Sequence, residues 1–286
     1  MHTHAPIALV ALLGAAAGST VTSQGDDATF TLVAEWSPFS SSQVGLYLQE
    51  EGGLADVLDP GPAQRSATYT WADVAALLPP EETALGEVWA PDAAPVVELL
   101  RQLHPSATAR LHHHYPPLDQ DGEENAAALV GAPLGVLATM LEDGPVIDIL
   151  LRSHVQFRLR DGTVYFTPAQ FEGRLVVDPA ERRVLALHLA LPDRNTNVDI
   201  NVDNPDEEFD EVDIGHVPRL GLWTASAPPA RDATTLATAR GRLRCDFYTF
   251  ALIDWMELPD AHDICWQSGE LLHVIVLFGT LDDESC

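Results

Sequence analysis

Lysine is absent from the 286-residue sequence, and all fifteen cationic side chains are arginine. That excludes Schiff-base catalysis and a phosphate-loop lysine. Cations as a class are scarce: fifteen stand against 43 carboxylates, leaving a formal net charge of −28. So acidic a balance excludes nucleic acid and anionic membrane surfaces as partners, because binding extended phosphates needs clustered cations. Cysteine is limited to Cys245, Cys265 and Cys286, with no Cys-x-x-Cys and no matched His pair to make a zinc site. No Asn-x-Ser/Thr acceptor occurs, and no Gly-x-Ser-x-Gly elbow supports Ser/His/Asp catalysis. An EF-hand is also missing, since the nearest candidate, Asp119-Gln-Asp121-Gly122, puts Pro117 at position 1 and Ala128 at position 12 of the loop.

What is present suffices for a core. With 46% hydrophobic and 20% charged residues the chain folds, and its length suits one large or two ordinary domains. Residues 5–18 form an Ala/Leu-rich run followed by small residues, read as a signal peptide over 1–23 or a short anchor, with His2 and His4 in place of basic residues.

Residues 24–146 read as a mixed, largely helical region. Strand-like pieces at Thr29–Ala34 and Val44–Leu48 precede a helix from Thr70 to Leu78, capped by Thr70 and ended by Pro79-Pro80. The spacing predicts a second helix over Asp92–His104, with Pro95 in its first turn and Val96, Leu99, Leu100 and Leu103 as its buried stripe. A third is expected over Glu124–Leu141, broken at Pro133.

From 147 to 224 the period changes to two. His154–Arg160, then Asp161-Gly162, then Thr163–Phe166 is a hairpin signal, followed by strands at Gly173–Val177, Val184–Leu191, Asn197–Val202, Val212–Ile214 and Leu220–Thr224. Short strands so spaced predict a central antiparallel sandwich or barrel. A Pro/Ala/Thr-rich stretch, 225–239, reads as a linker, and 240–286 as a further segment.

That last segment ends in Leu271-Leu-His-Val-Ile-Val-Leu-Phe278, an apolar, β-branched run stopped by Gly279 and read as a strand buried on both faces. An acidic loop and Cys286 follow, a layout of the thioredoxin-like kind, in which a reactive thiol sits where a strand gives way to a helix N-terminus. Gly279-Thr-Leu-Asp-Asp-Glu-Ser-Cys286 resembles the redox motif of the selenoprotein N family, in which Gly-Ala-Leu-Asp-Asp-Gln-Ser-Cys continues into selenocysteine and glycine. The resemblance extends, with gaps, from about Pro79 through Leu85–Trp89, Tyr165–Arg174, Asn197–Asp199 and Val212–Pro218.

The fold class expected is thus α+β: a helical N-terminal part, a central antiparallel β domain and an incomplete thioredoxin-like C-terminal segment. The resemblance implies that selenocysteine follows Cys286 and that the gene model stops at its codon, so that this chain by itself is inactive or nearly so. It implies a thiol/selenol oxidoreductase of the secretory pathway, in the endoplasmic reticulum lumen or anchored to its membrane. Redox homeostasis and calcium handling are its implied roles, with a protein disulfide as substrate, a calcium pump among the partners, and homodimerisation. Cys286 is then the catalytic thiol, resolving the exchange begun by selenium.

Other candidates have plainer readings. Asp282, Asp283 and Glu284 would raise a neighbouring thiol's pKa, or form a solvated turn. The acidic run Asp203, Asp206, Glu207, Glu208, Asp210, Glu211 and Asp213, with Asn197, Asp199 and Asn201, offers oxygens for low-affinity calcium, the candidate ligands being Asp199, Asp203, Asp206 and Asp210, or forms a solvated hairpin loop. His112-His113-His114 reads as a polar loop rather than a metal site. Cys245 and Cys265 either pair or serve as small core residues. The competing reading of the whole is a secreted, acidic, non-catalytic β-domain protein that binds a partner or calcium.

Overall fold

Apolar residues at alternate positions make strand the commonest element of the described chain, because period-two patterning buries one face of each strand against another layer. The computed structural model describes residues 28–36, 64–104, 108–111, 136–159, 164–167, 170–192, 199–202, 210–213, 217, 219–247, 256–269, 271, 272 and 274. The first strands are β1 (Thr29–Trp36) and β2 (Gln64–Thr70), then a single helical turn, α1 (Ala72–Ala75). After β3 (Val88–Trp89) come helix α2 (Ala93–Arg101) and β4 (Thr108–Leu111). A strand-rich stretch continues with β5 (Val136–Glu142), β6 (Ile147–Ser153), β7 (Val155–Leu159), β8 (Val164–Thr167), β9 (Phe171–Asp178), β10 (Arg183–Ala190), β11 (Asp199–Val202), β12 (Asp210–Asp213) and β13 (Leu220–Trp223). Helices α3 (Ala233–Phe247) and α4 (Leu258–Ser268) follow.

The strands form two antiparallel sheets, one of eight in the order β2-β1-β13-β10-β9-β6-β5-β3 and one of five in the order β12-β11-β8-β7-β4. The chain crosses from one sheet to the other at His154, between β6 and β7. One apolar cluster joins them: Leu32, Ile149, Leu175 and Leu189 of the larger sheet meet Val155, Phe157 and Phe166 of the smaller. Trp36 centres this core, with ring centroids 4.9 Å from Phe166 and 5.9 Å from Phe157. A smaller cluster forms on the opposite face of the larger sheet, where Ala239, Leu243 and Phe247 of α3 cover Leu137 and Leu150.

Helix α2 follows its sequence pattern. The Asp92 side chain caps it by accepting from the Ala94 N–H at 3.0 Å, and Val96, Leu99, Leu100 and Leu103 are buried as expected. The predicted hairpin is present as β7–β8, with Leu159 opposite Val164 and Phe157 opposite Phe166.

Several expectations are corrected. Residues 136–141, expected to continue a helix, lie in β5, paired with both β3 and β6. Val136–Met140 are buried on both faces of the sheet, so the alternation that marks a strand is absent there. Thr70 closes β2 instead of capping a helix to Leu78; its N–H and hydroxyl both donate to Asp73 Oδ2, and only one turn forms. Leu271, Leu272 and Val274, expected in a buried strand, are exposed and outside any strand. A strand becomes buried only where neighbours pair with it, and among the described residues neither sheet does so.

The helical N-terminal part is mainly strand: before residue 147 the described elements are β1 to β5 with α1 and α2. Pairing crosses the boundary expected at 146/147, through β5–β6 and β1–β13. The stretch read as a linker, 225–239, carries the first half of α3. The coarse α+β class stands; beyond residue 240 the described elements are the rest of α3 and α4, with no strand among the described residues.

Candidate functional site

The outer face of the larger sheet is apolar under the end of α3 and charged beside it. In β6, β9 and β10 the residues Ile149, Leu151, Leu175, Val177, Leu187 and Leu189 point into the core. The alternate phase places Asp148 and Arg152 on β6, Glu172 and Arg174 on β9, and His188 on β10. Register sets Arg174 opposite His188 on one side and Leu150 on the other, and Glu172 opposite Arg152 and Ala190.

Two segments roof this face. The Pro-rich stretch before α3 brings in Arg231, and α3 brings Arg240 and Arg244. Asp148, fully buried, anchors the floor: Arg174 donates to it through Nε at 3.2 Å and through Nη2, and Arg231 through Nε at 2.8 Å. Arg231 also bonds Glu142, and Arg174 Nη1 donates to the Pro229 carbonyl at 3.0 Å, tying the roof to the sheet. Arg240 clasps Glu172 with two parallel bonds of 2.6 Å. The Arg152 guanidinium lies 5.9 Å over the Phe247 ring.

Between floor and roof is an open cleft of about 880 Å³. Among the described residues, five arginines line it, Arg152, Arg174, Arg231, Arg240 and Arg244, and one carboxylate, Glu172. Its rim is apolar, including Leu191, Pro192 and Pro228. Hydrogen bonds to Glu142 and then Asp148 hold the Arg231 pKa above its ordinary value, and the bond to Glu172 does the same for Arg240. The His188 pKa is lowered, chiefly by burial; a hydrogen bond to the Ser226 backbone works against that and the nearby Arg174 charge adds to it. His188 is therefore neutral at pH 7.

The cleft is not among the sites expected from the sequence. Its signal was the alternation of charged and apolar residues in Phe171–Arg174 and the even spacing of Asp148 and Arg152, but which strands lie side by side is a tertiary fact. The expected site residues are differently placed. Cys286, Asp282, Asp283, Glu284, Asp203, Asp206, Asn197 and His112–His114 lie outside the described residues, as do the signal-peptide run, Val44–Leu48 and Asp119–Gly122. Of the calcium candidates, Asp199 on β11 sits opposite Asp213 on β12, and Asp210 sits opposite Val202. Among the described residues no group of three or more His, Cys, Asp or Glu side chains is arranged to hold a metal ion. Cys245 on α3 and Cys265 on α4 are half-buried free thiols. No helix among the described residues is long and apolar enough to cross a membrane.

Comparison with known proteins finds selenoprotein N. The chain is 27% identical to selenoprotein N of Danio rerio over 192 residues, covering 54% of this chain and 34% of that protein. Against the Homo sapiens protein it is 26% identical over 193 residues, covering 54% and 32%, and against the Mus musculus protein 26% over 193 residues, covering 54% and 34%. The chain therefore spans about a third of the length of these curated relatives. No family model matches it, and no solved structure does.

Proposed function

We propose, from the relationship of this chain to the selenoprotein N family, that it is part of a thiol/selenol oxidoreductase of the secretory pathway. The observation that carries the reading is the conjunction of that relationship with Gly279-Thr-Leu-Asp-Asp-Glu-Ser-Cys286, whose final thiol occupies the position before the family's selenocysteine. Cys286 acts as the resolving thiol. Together with the selenol expected next to it, it donates two electrons and two protons to a protein disulfide, giving two substrate thiols and an enzyme sulfur–selenium bond, which a thiol reductant reopens. A selenol ionises more readily than a thiol, so it tolerates the carboxylates of Asp282, Asp283 and Glu284, which would hold a thiol protonated.

The wider role in this reading is redox homeostasis of the endoplasmic reticulum and calcium handling through reduction of a calcium pump, by a protein that forms homodimers. Low-affinity calcium at the β11–β12 acidic run belongs to the same reading.

The test is elemental analysis of the native protein, isolated with an antibody raised against the β fold, combined with a disulfide-reduction assay. One selenium per chain, with activity lost on Cys286→Ser substitution, is the expected result. Native protein without selenium overturns the redox reading and puts the secreted, non-catalytic β-domain in its place.

A further inference from the structure

We propose that residues 225–247, the segment that ends in α3, are a basic strap docked on an acidic β fold, and that the strap opens as one unit, separately from the two sheets, to a degree set by ionic strength. The device is independent of the redox motif.

Charge is segregated along the chain. Residues 225–247 carry Arg231, Arg240, Arg242 and Arg244 against Asp232 and Asp246, a net charge of +2 in a chain whose total is −28, so the remaining residues carry −30. Strap and fold therefore attract each other as bodies, and the links between them run in that sense. Arg231 bonds Glu142 on β5 and Asp148 on β6, Arg240 bonds Glu172 on β9, and Arg242 Nη1 donates to the Gly86 carbonyl at 2.7 Å. Two of these pairs are open to solvent: side-chain exposure is 23% and 48% for Arg231 and Glu142, and 50% and 29% for Arg240 and Glu172. Attractions between groups so placed are screened by salt.

Burial adds little to that hold. From Ala225 to Thr238 no residue is buried, and in α3 Ala239, Leu243 and Phe247 are the buried ones. Strand β9, under the strap, buries Phe171, Leu175, Val176 and Val177. A segment with few buried apolar side chains opens at a lower free energy than the core beneath it.

The helix is weak in itself. Thr234, Thr235 and Thr238 crowd its first half, and Gly241 lies in its interior, all poor helix formers. A Cβ on Gly241 would meet nothing within 4 Å, so close packing does not call for glycine there, and the glycine loosens the helix. Opening uncovers Leu137 and Leu150 on the outer face of the larger sheet, which Ala239, Leu243 and Phe247 cover in the docked state. The strap thus controls access to that face.

The experiment is hydrogen exchange of the full chain, followed by mass spectrometry at 50 mM and 500 mM NaCl. Peptides within 233–247 should exchange together, faster than those of β9, and about threefold faster again at the higher salt. Exchange of β9 should not rise with salt, because screening a net charge of −28 relieves self-repulsion of the compact fold. Glu172→Gln, which takes the charged partner from Arg240, should speed α3 exchange about threefold. Gly241→Ala should slow it about fivefold. Glu98→Gln, in the exposed pair with Arg101 on α2, is the control and leaves α3 exchange unchanged. Thermal melts establish that each variant is folded. Exchange of α3 no faster than that of β9, or exchange that does not rise with salt, overturns the proposal. So does a folded Glu172→Gln or Gly241→Ala protein whose α3 exchanges as in wild type.

Discussion

Replacing Asp148 with Asn should destabilise the fold through the loss of one buried charge. Asp148 is fully buried on β6 and shared by Arg174 and Arg231, whose side chains are 13% and 23% exposed. Asn keeps the shape and one acceptor, but it leaves two guanidinium groups facing each other across a site with one fewer carboxylate. Breaking a buried pair by neutralising one partner costs about 3–5 kcal/mol. Partial exposure of both arginines, and the second carboxylate that Arg231 keeps in Glu142, lower the figure to about 2–4 kcal/mol. For a chain of this size that is a fall in Tm of roughly 5–12 °C.

Differential scanning calorimetry measures the loss. A Tm within about 1 °C of wild type would show that Asp148 is not the buried anchor of the arginines. The complementary variant, Asp148→Leu with Arg174→Met and Arg231→Met, replaces the whole ionic group by apolar side chains. It should return most of the lost stability, because removing a complete buried ion group is close to neutral.

Gly221→Ala should lower the urea midpoint by about 1–3 kcal/mol equivalent, since a Cβ there would lie 2.5 Å from Ala190 Cβ and 2.9 Å from Ala190 Cα on the paired strand, and only parting β10 from β13 relieves that. Thr224→Val should cost about 1–3 kcal/mol in the same assay, because the Thr224 hydroxyl accepts from the Leu187 N–H at 3.0 Å and donates to the Ser226 carbonyl at 2.8 Å, and the buried Leu187 donor loses a partner. His188 makes stability depend on pH: its folded pKa lies below the ordinary 6.5, so the stability is present above pH 6.5 and is lost as pH falls through the folded value, the unfolded chain taking up the proton first. Melts between pH 7.5 and pH 5 should therefore fall less steeply for His188→Asn, and equal slopes would refute the assignment.

What the sequence made legible is what local chemistry decides. Pro95 in the first turn and the stripe Val96-Leu99-Leu100-Leu103 define α2 by period alone, and the structure keeps both features, with Asp92 as the cap instead of the first helical residue. The β7–β8 hairpin is legible because its alternation and Asp161-Gly162 turn signal lie within a dozen residues. Val136–Met140 was illegible for the opposite reason. Leu, Ala and Met there favour helix, and only pairing with β6 and β3 makes them strand, a tertiary effect that overrides propensity. The division at 146/147 fails on the same ground, since β1 and β13 lie side by side although about 190 residues separate them.

The cleft shows where a net charge misleads and where it does not. A balance of −28 bears on partners that cover a large area, because a polyanion laid on this surface meets the average field. At physiological salt the Debye length is about 8 Å, so a small anion inside a cleft responds mainly to the groups lining it, not to carboxylates on distant faces. Those lining groups include, among the described residues, five arginines drawn from β6, β9, the segment before α3 and α3 itself, elements that span residues 147 to 247 and meet only in the folded sheet. The overall balance is therefore no guide to which charges one cleft brings together.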